Sequence, residues 1–324
     1  MKVFKGAEKF PLEYHNKVHL ALGNFDGVHR GHQEVLLNAF RSAKSEDEIS
    51  AALIFTPHPA KVINPDSTLE LLSDLKMKSE IISSLGLDCL IIEKFDLGVA
   101  SMAPEHFFRE YLLEKIAVKS LSTGFDYSFG KNAGGTTAQL KKWGEEYGFN
   151  LTIAPPVTYE NTLISSSLIR KMIYEGDIKR ASDYLNYYFY REGEVVKGDG
   201  RGKKLGFPTA NLDINPELIL PGNGVYFTAV SFDGKIMFAA TNIGLRPTFS
   251  SDRKTVEVNI IDYIGDLYGK RLTVYFLEKI RDEVAFSDAN PLIKQLKEDI
   301  KYCRKLTNFY SESFKTGFLE GIQR

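Results

Sequence analysis

The sequence is short of cysteine and has no surplus of charge of either sign. Its 2 cysteines, Cys89 and Cys303, lie far apart in apolar segments of a 324-residue chain. That placement suits buried, reduced thiols better than a disulfide framework or a metal site. Lys and Arg number 41 against 42 Asp and Glu, a formal net charge of -1, so nothing marks a nucleic-acid surface. No apolar run is long enough to span a bilayer, and Met1 to Phe10 carries Lys2, Lys5, Glu8 and Lys9 where a signal core would be apolar. The expectation is a cytoplasmic protein with no nucleic-acid and no membrane partner, its self-association left open. Internal repeats and low-complexity tracts are absent. The length favours two domains, each able to hold a core.

Two rhythms divide the chain. Up to about Leu185, short apolar runs alternate with helical patterns: Val18 to Leu22, Ala51 to Phe55, Cys89 to Ile92, Leu121 to Thr123 and Leu151 to Ile153. This is the pattern of a parallel α/β sheet. From about Asn186 it gives way to alternation and tight turns, with Gly224 to Phe232 and Lys235 to Thr241 joined at Asp233-Gly234, a strong hairpin signal. Glu194 to Lys197, Thr255 to Ile261 and Leu272 to Leu277 are further strand candidates, and the half reads as an antiparallel barrel or sandwich. Asn290-Pro291 offers an N-cap and first-turn proline for a C-terminal helix with an apolar stripe of Leu292, Leu296, Ile300 and Cys303. The polar, tyrosine-rich stretch Ser182 to Arg191 is the expected boundary, giving domains 1–185 and 186–324.

The densest chemistry follows the first apolar run, at Gly23-Asn24-Phe25-Asp26-Gly27-Val28-His29-Arg30-Gly31-His32. Val35, Leu36, Ala39 and Phe40 recur at helical spacing after it, so His29 and His32 fall around the first turn of a helix, where unpaired N–H groups and the macrodipole favour an anion. Glycine lets a polyphosphate approach the backbone, and imidazoles three residues apart donate in the same direction. The segment lacks both the Gly-Lys-Ser/Thr of a Walker A loop and the glycine spacing of a dinucleotide fingerprint. It resembles the HxGH motif of nucleotidyltransferases. Two other readings compete: a zinc site, which lacks a nearby cysteine or His-rich partner and the HExxH pattern, and a plain glycine-rich turn with surface histidines.

In an open α/β sheet, ligands sit beyond the carboxyl ends of the strands. There the sequence places Thr56-Pro57-His58-Pro59, then Gly124-Phe125-Asp126-Tyr127-Ser128-Phe129-Gly130, and finally Ile164-Ser165-Ser166-Ser167-Leu168-Ile169-Arg170 at another helix start. Singly, these read as a stiff loop, a turn and an N-cap cluster. In this order they resemble the FMN adenylyltransferase domain of bifunctional riboflavin kinase/FAD synthetases, with its GxFDGxHxGH, PHP, GxDFxFG and ISSTxIR motifs. The resemblance implies a Rossmann-like nucleotidyltransferase domain with a parallel sheet. It also implies that His29, His32 and Arg170 hold transferring phosphates, that Gly23, Phe25, Gly27, Ser165 and Ser166 contact ATP, and that His58 and Asp126 contact the flavin. Ser167 replaces the usual threonine, and Ser128 and Ala133 stand where many members carry arginine, which puts a phosphate contact in doubt.

The second half carries Gly198-Asp199-Gly200-Arg201-Gly202 and then Leu205-Gly206-Phe207-Pro208-Thr209-Ala210-Asn211-Leu212. The glycines alone suit a flexible hairpin loop, but alternation puts Thr209 and Asn211 on one face, as oxygen donors for Mg²⁺ and phosphate. Asn242-Ile243-Gly244-Leu245-Arg246-Pro247-Thr248-Phe249 follows, then Glu257 among apolar residues of a strand. GRxLGFPTANL, NIGxRPTF and a VEV strand resemble the riboflavin kinase domain, which implies an antiparallel β-barrel with a C-terminal helix. By that resemblance Gly198, Gly200 and Gly202 cover ATP phosphates, Thr209 and Asn211 serve the metal, Asn242 and Arg246 contact the flavin, and Glu257 is the base. Asn186-Tyr187-Tyr188-Phe189 departs from the Gly-Arg-Pro-Tyr/Phe common at the domain entry.

The implied function is FAD biosynthesis: riboflavin and ATP to FMN, then FMN and ATP to FAD and pyrophosphate, with Mg²⁺. An alcohol carries its proton into the kinase reaction, so a carboxylate is useful there. The FMN phosphate is already largely ionised, with a second pKa of about 6, and needs no base. Two alternatives stay open: a first domain without turnover or acting on another phosphorylated metabolite, and a flavin-binding regulatory or storage protein, against which His29, His32 and Glu257 stand.

Overall fold

The computed structural model describes residues 1–198, 200, 202, 205–247, 252–286 and 288–315, with the backbone alone described at 246, 247, 252, 253 and 312–315. The chain divides into two compact units, Met1–Ser166 and Ser167 onward.

The first unit is built on six parallel strands: β1 (Lys2–Lys5), β2 (Val18–Leu22), β3 (Ile49–Thr56), β4 (Cys89–Lys94), β5 (Val118–Gly124) and β6 (Asn150–Ala154). Their order is β1-β4-β3-β2-β5-β6. The five apolar runs of the sequence are all here, and β1 is an addition. Its lysines hid it, yet a lysine-bearing strand suits a sheet edge, where it pairs Lys2 with Cys89 of β4. Helix α1 (Arg30–Glu46) buries Val35, Leu36, Ala39 and Ala43. Phe107, Phe108, Tyr111 and Leu112 form a further core with Leu20, Leu53 and Ile91 of the sheet, joined by Leu140 of α4 (Thr137–Tyr147). Helices α2 (Pro59–Ile63) and α3 (Leu75–Ser84) lie between β3 and β4 in the chain. The strand order reverses at β2, with β3 on one side and β5 on the other, and that is where an open sheet leaves a crevice.

The second unit is a closed antiparallel barrel of β7 (Tyr190–Val196), β8 (Ala210–Ile214), β9 (Gly224–Phe232), β10 (Lys235–Pro247), β11 (Asp252–Ile260) and β12 (Arg271–Arg281), in the order β7-β8-β11-β10-β9-β12. Helices α5 (Ser166–Glu175) and α6 (Ile178–Leu185) belong largely to this unit: Gly222 N–H donates to Ile173 O at 3.1 Å, and Phe189 N–H to Ser182 Oγ at 3.1 Å. The polar, tyrosine-rich stretch is accordingly buried: Tyr184, Phe189 and Arg191 are core residues, the Arg191 guanidinium donating to Ile219 O and Tyr190 O.

The C-terminal helix α7 runs Ala289–Lys315. Asn290 therefore lies inside the first turn and is not the N-cap; Asp288, also a favoured residue at that position, precedes the helix. Cys303 and Tyr310 of α7 pack on Val225, Phe227 and Leu277 of the barrel's outer face. Both cysteines are free and buried, and burial pushes their thiols up, to about 11 for Cys89 and about 12 for Cys303. Asp299 on α7 is buried and accepts from Arg281 Nε and Nη2 at 3.0 and 2.7 Å, and from Gln295 Nε2 at 2.9 Å. Asp299→Ala strands the Arg281 guanidinium without its carboxylate, and a loss of about 3–5 kcal/mol is expected in urea unfolding of the barrel unit. No helix among the described residues is long and apolar enough to cross a membrane.

Candidate active sites

In the first unit, β2 ends at Leu22 and the chain turns sharply before α1. Gly27 has φ 79°, but Phe25 and Val28 are also left-handed, at 47° and 38°. A β-branched residue there is strained, so the surroundings must hold the turn in place. They do so through Asp26, whose buried carboxylate accepts from Leu72 N–H at 3.1 Å, Ser73 N–H at 3.1 Å and Ser73 Oγ at 3.4 Å. Gly27 N–H donates to Ser73 Oγ at 2.8 Å, Ser166 Oγ donates to Asp26 O at 3.0 Å, and Lys78 Nζ donates to Asn24 O at 2.7 Å.

His29 is the N-cap of α1: its Nδ1 accepts from His32 N–H at 3.3 Å, which leaves Nε2 to carry the ring proton in the neutral form. The two imidazoles stack, 3.6 Å between centroids and 14° between planes, and Phe25 meets His32 edge-on at 5.5 Å. Imidazole lone pairs lie in the ring plane, so one ion cannot sit in both of two stacked, nearly parallel planes. That geometry suits hydrogen bonding to oxygens and opposes shared zinc ligation. Burial, then His29, then Lys78 hold His32 well below the ordinary histidine pKa, which favours the neutral ring.

Gly23, Phe25, Gly27, His29, His32 and Ser166 are thus assembled at one turn. His58 follows β3 and caps α2, its Nδ1 accepting from Ala60 N–H at 3.2 Å. Asp126 follows β5 and is exposed. Because β3, β2 and β5 are parallel neighbours, the loops carrying His58 and Asp126 flank the histidine turn at one edge of the sheet. Ser165 immediately precedes α5, and Arg170 lies one turn into it, in the part of the chain that groups with the barrel. Ser73 and Lys78 carried no sequence signal, since their partners lie about 50 residues away.

In the second unit, register does the assembling. Asn211 of β8 pairs with Glu257 of β11, and Glu257 with Asn242 of β10. Ala210, Leu212, Thr241, Ile243, Val256 and Val258 alternate with these and are buried, so the three polar residues form a row on the opposite, outer face. The row continues through Val225 to Arg281, the residue that α7 grips through Asp299. Thr209 precedes β8 on the same side as Asn211. A Cβ on Gly202 would fall 2.4 Å from Phe207 O and 3.2 Å from Thr209 Oγ1, so the backbone there runs closer than a side chain permits, while one on Gly198 would fall 2.2 Å from Asn211 Nδ2 and displace that amide. Gly200 is left-handed, at φ 66°, and open. Arg246 lies further along β10, about 13 Å beyond Asn242 by strand rise; its side chain is outside the described residues, as are Asp199, Arg201, Thr248 and Phe249.

Residues 12–168 match the family model for FAD synthetase and residues 185–307 that for riboflavin kinase. The bifunctional riboflavin kinase/FMN adenylyltransferase of Buchnera aphidicola subsp. Schizaphis graminum is 32% identical over 95% of this chain and 99% of its own. The chain belongs to the bifunctional riboflavin kinase/FMN adenylyltransferase family. The Listeria monocytogenes member is 35% identical over 88% of this chain and 90% of its own. A crystal structure described as a macrolide-efflux protein from Streptococcus pneumoniae has a TM-score of 0.86 at 29% identity, covering 94% of this chain and 99% of that one; the likeness bears on the fold.

Proposed function

We propose that the family's two reactions run on separate units of this chain. The barrel unit phosphorylates riboflavin with ATP to FMN, and the parallel-sheet unit adenylylates FMN with a second ATP to FAD and pyrophosphate. The chain is a FAD-biosynthesis transferase with ATP as co-substrate in both steps. The observation that carries the division is where the carboxylates are. Glu257 stands in a row of amides, between Asn211 and Asn242, suited to take the proton of an alcohol. Within the histidine turn the carboxylate, Asp26, is engaged by Leu72 and Ser73, Asp74 caps α3, Asp126 lies on a flanking loop, and an ionised FMN phosphate has no proton for any of them to take.

In the kinase step Glu257 orients and deprotonates the riboflavin hydroxyl, the glycines at 198, 200 and 202 bring backbone close to the phosphates, and Asn242 faces the flavin. Thr209 and Asn211 offer a hydroxyl and an amide oxygen, hard neutral ligands that fit Mg²⁺ beside substrate phosphates, and Gly198 and Gly202 keep the space next to them clear of side chains. Mg²⁺ bound there offsets phosphate charge. In the adenylyl step His29 and His32 hold the phosphates of ATP, aided by the turn and by Ser165 and Ser166, while His58 and Asp126 face the flavin. Free, buried cysteines support a cytoplasmic location.

Incubation with riboflavin, ATP and Mg²⁺, followed by chromatography, tests the pair of activities: both FMN and FAD are expected. A fragment beginning at Ser167, which keeps α5 and α6 with the barrel, should make FMN and no FAD. A folded fragment that binds riboflavin and makes no FMN overturns the division.

A further inference from the structure

Lys78 is a buried cation that neither half-reaction has so far employed. It lies on α3, only 7% exposed, and its ammonium donates to the Asn24 carbonyl of the phosphate turn at 2.7 Å. A lysine is rarely so deep without a partner charge. Two carboxylates face it, Asp26 of the turn and Asp74, whose side chain caps α3 by accepting from Met77 N–H at 2.8 Å. The charge of Lys78 also reaches His32, whose Nδ1 is buried with no hydrogen-bond partner among the described residues.

The peptide between Asn24 and Phe25 is the point of control. In a trans peptide the carbonyl and the following N–H point in opposite directions. With the Asn24 carbonyl turned inward to Lys78, the Phe25 N–H is turned away from it, and Phe25 itself sits at φ 47°. Successive backbone N–H groups in such a turn make an anion-binding concavity. Without the ammonium, the carbonyl is free to turn outward, where it would repel a phosphate oxygen.

We propose that Lys78 is a positioning residue for adenylyl transfer, a buried cation that fixes the Asn24 peptide and with it the turn carrying His29 and His32. Its charge also disfavours a second cation at the stacked histidines, in the same direction as burial and the His29 ring. Burial lowers the pKa of Lys78 itself while Asp26 and Asp74 raise it, so the carboxylates sustain the charge that the role requires. The inference rests on the assignment of FAD formation to the parallel-sheet unit.

Full-length Lys78→Met and Lys78→Gln, compared with wild type, provide the test. FAD formation from FMN and ATP should lose about 10- to 100-fold in kcat in Lys78→Met, the scale of a misplaced catalytic group, with riboflavin phosphorylation unchanged. Lys78→Gln keeps an N–H donor for Asn24 and should recover part of kcat. Histidine-labelled NMR titration should show the His32 midpoint rising in both variants, which reports that the charge of Lys78 reaches the stacked pair, while the partial rescue of kcat by Lys78→Gln separates peptide positioning from charge alone. Unchanged adenylylation in either folded variant, or equal loss of the kinase, overturns the proposal. His29→Asn is run alongside: if it too leaves FAD formation intact, the placement of the reaction fails, whereas loss in His29→Asn alone rejects only the role of Lys78.

Discussion

Glu257→Gln is expected to phosphorylate riboflavin about 10²–10⁴-fold more slowly, the usual contribution of a positioned acid or base. The substitution keeps the side chain's size and its place between Asn211 and Asn242, so the barrel should fold and riboflavin should still bind. What is lost is basicity, and it matters because the riboflavin hydroxyl must shed a proton as the phosphoryl group arrives. The same protein supplied with FMN and ATP should make FAD at the wild-type rate, since that nucleophile is already an anion. Parallel assays of the two reactions on one preparation decide the matter. Near-normal phosphorylation would remove Glu257 from the mechanism, and equal loss of both activities would mark a structural role.

Replacing either histidine of the stacked pair should spare the kinase and lower FAD formation about 10²–10³-fold, as expected for the loss of one donor aimed at transition-state charge. The geometry separates the two positions. His29→Ala also removes the cap that accepts from His32 N–H, at a further cost of about 1 kcal/mol in helix stability, whereas His29→Asn retains a capping oxygen and removes only the imidazole donor. Comparable kinetic loss in both His29 variants, with a lower Tm in His29→Ala alone, is the expected pattern. His32→Ala leaves the cap acceptor in place and removes the ring that Phe25 and His29 sandwich. Stoichiometric zinc that disappears with either histidine would overturn the phosphate role, against the stacked geometry.

Much of both sites was legible because their parts are contiguous in sequence. The histidine turn, the His29 cap and the start of the helix that follows lie within ten residues, and turn and cap chemistry is local. The hairpin at Asp233-Gly234 was legible for the same reason, since two residues suffice to set its geometry. Less was readable where burial overrode composition. Lysines obscured β1, and a stretch rich in polar atoms and tyrosine reads as solvated until Arg191 is found donating to two core carbonyls. Asn290 lies inside a helix that begins at Ala289, since local sequence specifies a helix boundary only to within one or two residues.

The sequence by itself determined the chemistry available: paired imidazoles at a helix start, a carboxylate in an apolar strand, hydroxyl and amide oxygens beside close-set glycines, and two halves of different period. Tertiary structure alone decided what those groups face. Strand order places the histidine turn where the sheet reverses, and pairing register sets Glu257 between two asparagines drawn from different strands. Asp26 and Lys78 acquire their roles from partners 46 and 54 residues away. Local periodicity reports which face of an element is buried; it carries no information on which element will cover it, because that depends on pairing and packing free energies summed over the whole unit.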